Sequence, residues 1–145
     1  MQLDPASGWC EGVHRCPSPN FNERPDGEIS LLVIHNISLP PGQFATGKVQ
    51  AFFQNRLDVT EHPYFEGIKA LRVSAHFLIE RDGQITQFVS CLDRAWHAGI
   101  SSFEGREACN DFSLGIELEG TDDQPFTDAP YQALIALTRQ LQQHY

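Results

Sequence analysis

The segment SLLVIHNI, residues 30–37, is a run of apolar and β-branched residues that carries one histidine, His35, near its end. Apolar residues fall on both faces when the side chains alternate, which predicts a strand buried on both sides. The prolines and glycine at positions 40–42 cannot extend a ladder, so the strand is expected to end just after the imidazole. A histidine at this place suits a metal site or a reacting group, and a hydrogen-bonded core histidine fits the same pattern.

Length, charge and cysteine content limit the classes of protein to which this chain can belong. The chain has 145 residues, of which 41% are hydrophobic and 20% charged, as in a single globular domain. A net charge of -9 and an isoelectric point near 4.9 argue against nucleic acid or an anionic membrane as partner. No signal-peptide pattern and no membrane-spanning apolar run are present, so we expect a cytoplasmic protein. The four cysteines form no C-x-x-C pair, which favours reduced, structural thiols over a disulfide framework or a zinc knuckle.

The first half of the chain gives weaker signals. Residues 1–29 are rich in Pro, Gly, Asn and Ser without lasting periodicity, which predicts an irregular N-terminal arm. Apolar residues at helical spacing predict a helix over 47–59. The segment 60–71 contains Pro and Gly and is expected to be a loop.

Two β-rich runs flank the dipeptide Asp82-Gly83. Both residues accept a positive φ, so the pattern predicts a hairpin with strands at 72–80 and 84–90 and a type I′ turn. His76 falls within the first strand, where hydrogen bonding in the core is favoured over metal ligation.

The segment FSLGIELEG, residues 112–120, predicts a strand with an apolar face and two carboxylates, Glu117 and Glu119, on the other face. Like charges on one half-buried face should raise the pKa of at least one carboxyl unless a cation lies near. An edge strand with a solvated acidic face explains the same pattern.

The last element is a helix over 128–145, which Thr127 or Asp128 can cap. Its expected inward stripe is Tyr131, Leu134, Ile135, Thr138 and Leu141. The predicted fold is therefore mixed α/β, with a central β-sheet flanked by helices. Its strands are expected near 30–37, 72–80, 84–90 and 112–119, and its flanking helices at 47–59 and 128–145.

Four segments, in this order and spacing, resemble the N-acetylmuramoyl-L-alanine amidases of family 2. They are VIHNISLPPG at 33–42, RVSAHFLIERDGQITQFV at 72–89, RAWHAGISSFEGREACNDFSLGIELEGTD at 94–122 and FTDAPYQAL at 126–134. The family includes cytoplasmic amidases of peptidoglycan recycling and, more distantly, phage lysozyme-amidases and peptidoglycan recognition proteins. The resemblance implies an amidase fold of the peptidoglycan-recognition-protein type. It also implies zinc-dependent hydrolysis of the bond between 1,6-anhydro-N-acetylmuramic acid and L-alanine in muropeptides, with an indirect effect on β-lactamase induction.

The resemblance also assigns roles to positions of this sequence. His35 matches a zinc ligand, and Glu117 matches the acidic residue that serves as general base. The remaining His and Asp ligands of the family have no match in residues 1–145, so we expect a single amidase domain that is truncated at its C-terminus. Positions implied to surround a muropeptide substrate, bound by a monomer, are Asn36, Arg72, Trp96, His97, Phe103 and Arg106. Phe103 stands where relatives can carry Tyr, and Trp96 fits plain core packing as well as stacking on a sugar ring.

Two alternatives remain open from the sequence. A short homologue could bind muropeptides without cleaving them. Alternatively, zinc could be held within the chain by His35, His76 or His97 together with a carboxylate.

Overall fold

The computed structural model describes all 145 residues, which form eleven short strands and three α-helices. The strands are β1 (Gln2–Asp4), β2 (Trp9–Glu11), β3 (His14–Arg15), β4 (Phe21–Glu23), β5 (Leu31–Ile37), β6 (Phe77–Ile79), β7 (Ile85–Gln87), β8 (Asp93–Ala95), β9 (Ser102–Phe103), β10 (Arg106–Glu107) and β11 (Ser113–Glu119). The helices are α1 (Lys48–Phe53), α2 (Pro63–Ile68) and α3 (Asp128–His144).

A five-stranded mixed sheet with the order β3-β7-β6-β11-β5 forms the centre. Strand β11 pairs in parallel with both β5 and β6, whereas β6 and β7 are antiparallel. The predicted mixed α/β fold is therefore confirmed. One apolar cluster on the sheet includes Leu137 and Leu141 of α3, and the second includes Phe52 of α1 and Phe65 of α2.

The structure reverses two interpretations of strand position: β5 was expected to be buried on both sides, and an exposed edge strand was one interpretation of β11. β5 lies at an edge and Ile34 is 42% exposed, so the prediction of a strand buried on both sides is wrong. β11 is central and all seven of its residues are buried, which excludes the solvated acidic edge strand. The sequence of β5 resembles that of a strand buried on both sides because its own side chains are mostly apolar on both faces.

The N-terminal arm is more regular than predicted. β1 and β2 form an antiparallel hairpin, and β3 extends the central sheet beside β7. The buried side chain of Gln87 holds this hairpin: its Oε1 accepts from the Cys10 N–H at 2.8 Å, and its Nε2 donates to the Gly8 carbonyl at 2.8 Å. These pairings depend on a residue almost eighty positions away, so local periodicity does not show them.

Helix predictions between the first strand and the hairpin are partly wrong. α1 ends at Phe53, well before position 59, because Asn55 adopts a left-handed φ of 59°. The expected loop contains α2, whose first turn is capped by His62. The imidazole Nδ1 of His62 accepts from the Tyr64 N–H at 3.1 Å. Histidine is not a usual N-cap residue, which is why the sequence does not reveal this helix start.

The hairpin around Gly83 is present, but its turn differs from the prediction. Among the loop residues only Gly83 has a positive φ, at 88°. Its N–H donates to the Glu80 carbonyl at 2.9 Å, and the Glu80 N–H donates to the Gln84 carbonyl at 2.9 Å. The loop therefore has three residues and places glycine in the left-handed position, instead of the two-residue type I′ turn. The strands are also shorter, at 77–79 and 85–87.

Helix α3 lies where it was predicted, but it presents a different face to the sheet. Its buried residues include Leu137 and Leu141, whereas Tyr131 and Ile135 are 47% and 44% exposed. The predicted stripe is therefore wrong for these two residues. Apolar residues cover a wide arc of this helix, so helical spacing alone fits more than one stripe.

Two further findings concern the cysteines and the helices. All four cysteines are free thiols, as predicted, and Cys10, Cys91 and Cys109 are buried. None of the helices combines the length and the apolar character that crossing a membrane requires.

The face of α3 can be tested by two truncations. Leu137→Ala removes a fully buried side chain and should lower the free energy of unfolding by about 2–5 kcal/mol. Ile135→Ala, on the exposed side, should cost less than about 1 kcal/mol. Urea unfolding of both variants checks this prediction, and a larger loss for Ile135→Ala would contradict the helix orientation.

Candidate active site

The parallel register of β5 and β11 sets the geometry of the site. Glu117 is the direct partner of His35, so the two side chains project from the same face of the sheet. Both residues lie near the carboxyl ends of their strands, where loops take over and a sheet most readily forms a ligand site. The register thus brings together His35 and Glu117, the residues to which the family resemblance assigns zinc binding and general-base catalysis.

Glu117 is a buried carboxyl with one unpartnered oxygen. Its residue is 9% exposed, and Oε2 has no hydrogen-bond partner. Burial raises the pKa of Glu117 to about 8. We had expected the neighbouring carboxylate to cause such a shift, but burial alone accounts for it. A carboxyl of this kind is suited to exchange a proton near neutral pH.

Glu119, the next residue on this face, is satisfied by backbone donors. Its Oε1 accepts from the Ala45 N–H at 2.7 Å, and its Oε2 accepts from the Arg81 N–H at 3.4 Å. Burial raises the pKa of Glu119, and these two N–H groups partly oppose the rise. The two carboxyls therefore differ in their surroundings, because Oε2 of Glu117 is buried without a hydrogen-bond partner, whereas both oxygens of Glu119 accept from the backbone.

His35 belongs to a hydrogen-bonded chain with His97 and Ser113. His35 Nε2 lies 2.9 Å from His97 Nδ1, and His97 Nε2 lies 3.0 Å from Ser113 Oγ. Burial lowers the pKa of both imidazoles, and that of His97 falls to about 3. Both rings are thus neutral at neutral pH. The arrangement requires Gly115, since a Cβ there would lie 2.4 Å from His97 Cγ.

His76 is a core residue, which confirms the interpretation favoured from the sequence. Its Nδ1 accepts from the Gly115 N–H at 3.0 Å, so its Nε2 carries the proton and donates to the Asp93 carbonyl, also at 3.0 Å. Desolvation lowers the pKa of His76 well below its usual value, and the neutral ring is the stable form. Both nitrogens are engaged with the backbone, so His76 supports the strand beneath His97 and offers no free nitrogen to a metal.

Two grooves reach the carboxyl-terminal part of β5, and His35 lines one of them. The first groove has a volume of about 580 Å³ and is lined by His35, His97 and Phe103 among others. The second groove, of about 480 Å³, lies between the loop 38–46 and α2, and Asn36 forms part of its lining. The first groove contacts β5 as far as His35, and the second groove contacts it from Asn36 onward.

Among the predicted substrate residues, Asn36, His97 and Phe103 lie at the grooves. Asn36 Nδ2 donates to Asp122 Oδ1 at 2.7 Å beside the second groove. Phe103 is 48% exposed along the first groove. Trp96 lines neither groove, because its indole N–H donates to Asn22 Oδ1 at 2.8 Å.

The two predicted arginines lie outside both grooves. The Arg72 guanidinium donates to the carbonyls of Lys69 and Leu71, both at 3.1 Å, beside a separate cavity of about 50 Å³. Arg106 forms an ion pair with Glu28 at 2.9 Å and covers the Phe112 ring at 3.8 Å. Each arginine already has partners that a substrate would have to replace.

Residues that the sequence did not single out hold the site together. Asn110 Oδ1 accepts from the N–H groups of His97 and Ala98, at 3.1 and 2.9 Å, and so fixes the loop that carries the imidazole. Arg24 is a buried cation whose guanidinium donates to the Ser113 carbonyl at 2.8 Å and to the Asp111 carbonyl at 3.1 Å. The sequence offered one usable signal, the glycine inside a strand at position 115, which indicates close approach of another group.

Comparison with known proteins decides the family. Residues 25–145 match the family model for N-acetylmuramoyl-L-alanine amidase. The chain belongs to this family. It is 58% identical over 146 aligned residues to the 1,6-anhydro-N-acetylmuramyl-L-alanine amidase AmpD of Citrobacter freundii, covering 100% of the chain and 77% of that relative. Its membership confirms the family resemblance and the enzyme class predicted from the sequence.

Solved structures agree with this assignment. A crystal structure of a selenomethionine derivative of AmpD shares 56% identity and superimposes with a TM-score of 0.97, covering 100% of the chain and 80% of that structure. The amidase AmiD of Escherichia coli, in complex with anhydro-N-acetylmuramic acid-L-Ala-D-γ-Glu-L-Lys, shares 26% identity with a TM-score of 0.55. The match covers 94% of this chain and 47% of AmiD.

The donor groups of this amidase do not form a complete zinc site by themselves. His35 and Glu117 lie side by side, and the buried Oε2 of Glu117 has no hydrogen-bond partner. No cluster of three His, Cys, Asp or Glu side chains able to hold a metal is present in residues 1–145. A catalytic zinc needs three protein ligands, so these residues do not fit the ion without additional donors.

The raised pKa of Glu117 predicts how the stability of the metal-free amidase depends on pH. The neutral carboxyl stabilises the fold fully below its unfolded pKa of 4.5, and this contribution is lost as the pH rises through about 8. Glu117→Gln is uncharged at every pH and should stabilise the protein by a few kcal/mol at about pH 9, with little effect at about pH 4.

Urea unfolding in the presence of chelator at both pH values tests this expectation. Glu11→Gln, at an exposed position of β2, serves as the matched control and should change stability little at either pH. Equal effects of Glu117→Gln at the two pH values would show that the carboxyl is not held neutral by burial.

Proposed function

We propose that this amidase hydrolyses the bond between 1,6-anhydro-N-acetylmuramic acid and L-alanine in muropeptides. The observation that carries the proposal is the buried Glu117, whose Oε2 has no hydrogen-bond partner and which lies in register with His35 at the first groove. The activity named for the Citrobacter freundii relative and the anhydromuramyl peptide bound by AmiD support this substrate class.

Glu117 is the proposed general base and acid. With a pKa of about 8, it is close to the pH at which proton transfer in either direction is easy. It would accept a proton from the attacking water and return it to the amine of L-alanine as the amide bond breaks. Its buried surroundings also keep other water away from the reacting atoms.

The grooves would hold the two arms of the muropeptide. His97 and Phe103 contact one arm in the first groove, and Asn36 contacts the other arm in the second groove. We propose that three further residues reach the outer parts of the substrate: Trp96, Arg72 and Arg106. A muropeptide carboxylate would suit either arginine, because the guanidinium binds carboxylates with two parallel hydrogen bonds. At Arg72 the substrate carboxylate would replace the backbone carbonyls that now accept from the guanidinium. At Arg106 it would replace the carboxylate of Glu28.

We propose zinc as the cofactor, with His35 as one of its ligands. His35 is the donor next to Glu117, and two further donors would have to come from outside residues 1–145. When bound, zinc supplies Lewis-acid activation of the amide and of water.

The remaining parts of the proposal concern the setting of the enzyme. Residues 1–145 would form part of a single amidase domain, which acts as a monomer in the cytoplasm, where recycled muropeptides are its substrate. The acidic net charge of -9 supports a small-molecule partner over nucleic acid or an anionic membrane. Removal of muropeptides would give the enzyme an indirect effect on β-lactamase induction.

The role of Glu117 predicts a variant that binds substrate without cleaving it. Glu117→Gln keeps the size of the side chain and removes its base, so hydrolysis should fall by at least about 100-fold. Binding of the anhydro-muropeptide, measured by calorimetry, should remain within about threefold of the unmodified protein. Chromatographic detection of the released peptide measures hydrolysis, and Glu11→Gln again serves as the control. Full activity of Glu117→Gln would overturn the assignment.

The proposed cofactor predicts a difference in metal content. Residues 1–145 alone should hold much less than one zinc, and a polypeptide extended to the length of the Citrobacter freundii relative should hold about one. His35→Ala in the extended protein should abolish that zinc, as measured by mass spectrometry. One zinc in the 145-residue chain would instead place all the ligands among its own histidines and carboxylates. Muropeptide binding that ignores chelator, without hydrolysis, would favour a muropeptide-binding homologue.

A further inference from the structure

A second buried carboxylate, Glu119, takes no part in the proposed chemistry. It is 3% exposed and lies two positions after Glu117 on the same face of β11. A buried carboxylate is costly unless its oxygens are satisfied, and a glutamine or an apolar residue would avoid most of that cost. Its two contacts therefore indicate what it contributes.

The first contact is to a residue in an unfavourable backbone conformation. Glu119 Oε1 accepts from the N–H of Ala45 at 2.7 Å, and Ala45 has a φ of 53°. A residue with a Cβ adopts this left-handed region only when its surroundings hold it there. The charged acceptor of Glu119 is the group that holds the Ala45 amide in place.

The same loop is held at two other points. Leu39 is buried in the core at its beginning, and the Arg81 guanidinium lies 4.6 Å from the centre of the Phe44 ring near its end. Glu119 also accepts from the Arg81 N–H, at 3.4 Å. The carboxylate thus connects β11 with the loop 38–46 and with the turn between β6 and β7.

This loop forms one wall of the second groove. Pro41 and Gly42 of the loop and Tyr64 and Ile68 of α2 all line it. A shift of the loop would therefore change the width of the groove without moving Glu117 or His35.

We propose that Glu119 is a positioning residue, which fixes the loop 38–46 and thereby sets the affinity of the second groove for the muropeptide. The inference rests on the proposed function, because it assumes that one arm of the muropeptide occupies that groove. It assigns to Glu119 an effect on substrate binding and none on proton transfer.

Four variants of the complete, hydrolytically active protein test the proposal: Glu119→Gln, Ala45→Gly, the double variant and Glu80→Gln. In Glu119→Gln the charge is lost, and one amide oxygen replaces the two acceptor oxygens that bind the Ala45 and Arg81 N–H groups, so the hold on Ala45 weakens. KM for the anhydro-muropeptide should rise about tenfold, while kcat stays within about twofold. Ala45→Gly adopts a positive φ freely, so in the double variant it should restore KM to within about threefold.

Glu80→Gln is the matched control, since Glu80 lies nearby and accepts only from the side chains of Gln50 and Gln84. It should leave KM unchanged. Amide exchange at Ala45, followed by NMR, should become about tenfold faster in Glu119→Gln and remain slow in Glu80→Gln.

The outcomes separate this inference from the proposed function. If the unmodified protein neither binds nor cleaves the muropeptide, the proposed function fails, and exchange at Ala45 still reports whether Glu119 holds the loop. An unchanged KM, or a raised KM with unchanged exchange at Ala45, would overturn the positioning role. Loss of stability with KM, kcat and exchange at Ala45 all unchanged would show that Glu119 serves the fold alone.

Discussion

The parallel pairing of β11 with β5 is the constraint on which the rest of this amidase depends. Because the register sets Glu117 beside His35, a shift of one residue would turn one of the two side chains to the opposite face of the sheet. Nothing else in the structure joins these two residues directly. The surrounding contacts, from Gly115 beneath His97 to Arg24 beneath Ser113, maintain that register and the loop above it.

Burial gives the two glutamates of β11 their separate properties. Both lie on one face of a central strand, and both have a raised pKa because the strand is covered on each side. Backbone N–H groups surround Glu119, whereas Glu117 retains an oxygen without a partner. The proposed division into a positioning group and a reacting group thus rests on a few backbone donors, not on residue type.

The sequence predicts those parts of the structure that depend on local patterns. β5, β11, the hairpin at Gly83 and α3 all have strong periodicity or turn chemistry, and each lies close to its predicted position. Sheet position does not follow from such patterns, because β5 and β11 are both mostly apolar and only tertiary contacts decide which is central. For the same reason, the short strands of the N-terminal arm and the capping of α2 by His62 escaped prediction.

Within the site, chemistry was easier to predict than geometry. His35 and Glu117 were singled out as residues with reactive side chains on strands, and the register brings them together. Asn110, Ser113 and Arg24 carry no comparable signal, because their roles consist of hydrogen bonds to groups distant in sequence. For Arg72 and Arg106 the residue type suits carboxylate binding, but it does not show which partners the guanidinium already has in the fold.

The position of Arg24 affects where the boundary of this domain should be drawn. The match to the family model begins at residue 25, one position after the guanidinium that binds the carbonyls of Asp111 and Ser113. An expression clone trimmed to the recognisable family region would therefore delete an internal cation and leave those carbonyls without their donor. Such a clone would retain every residue with a predicted chemical role and lose a support of the strand that carries Glu117. In this amidase, the contacts that support the strand carrying Glu117 extend beyond the region that the family model matches.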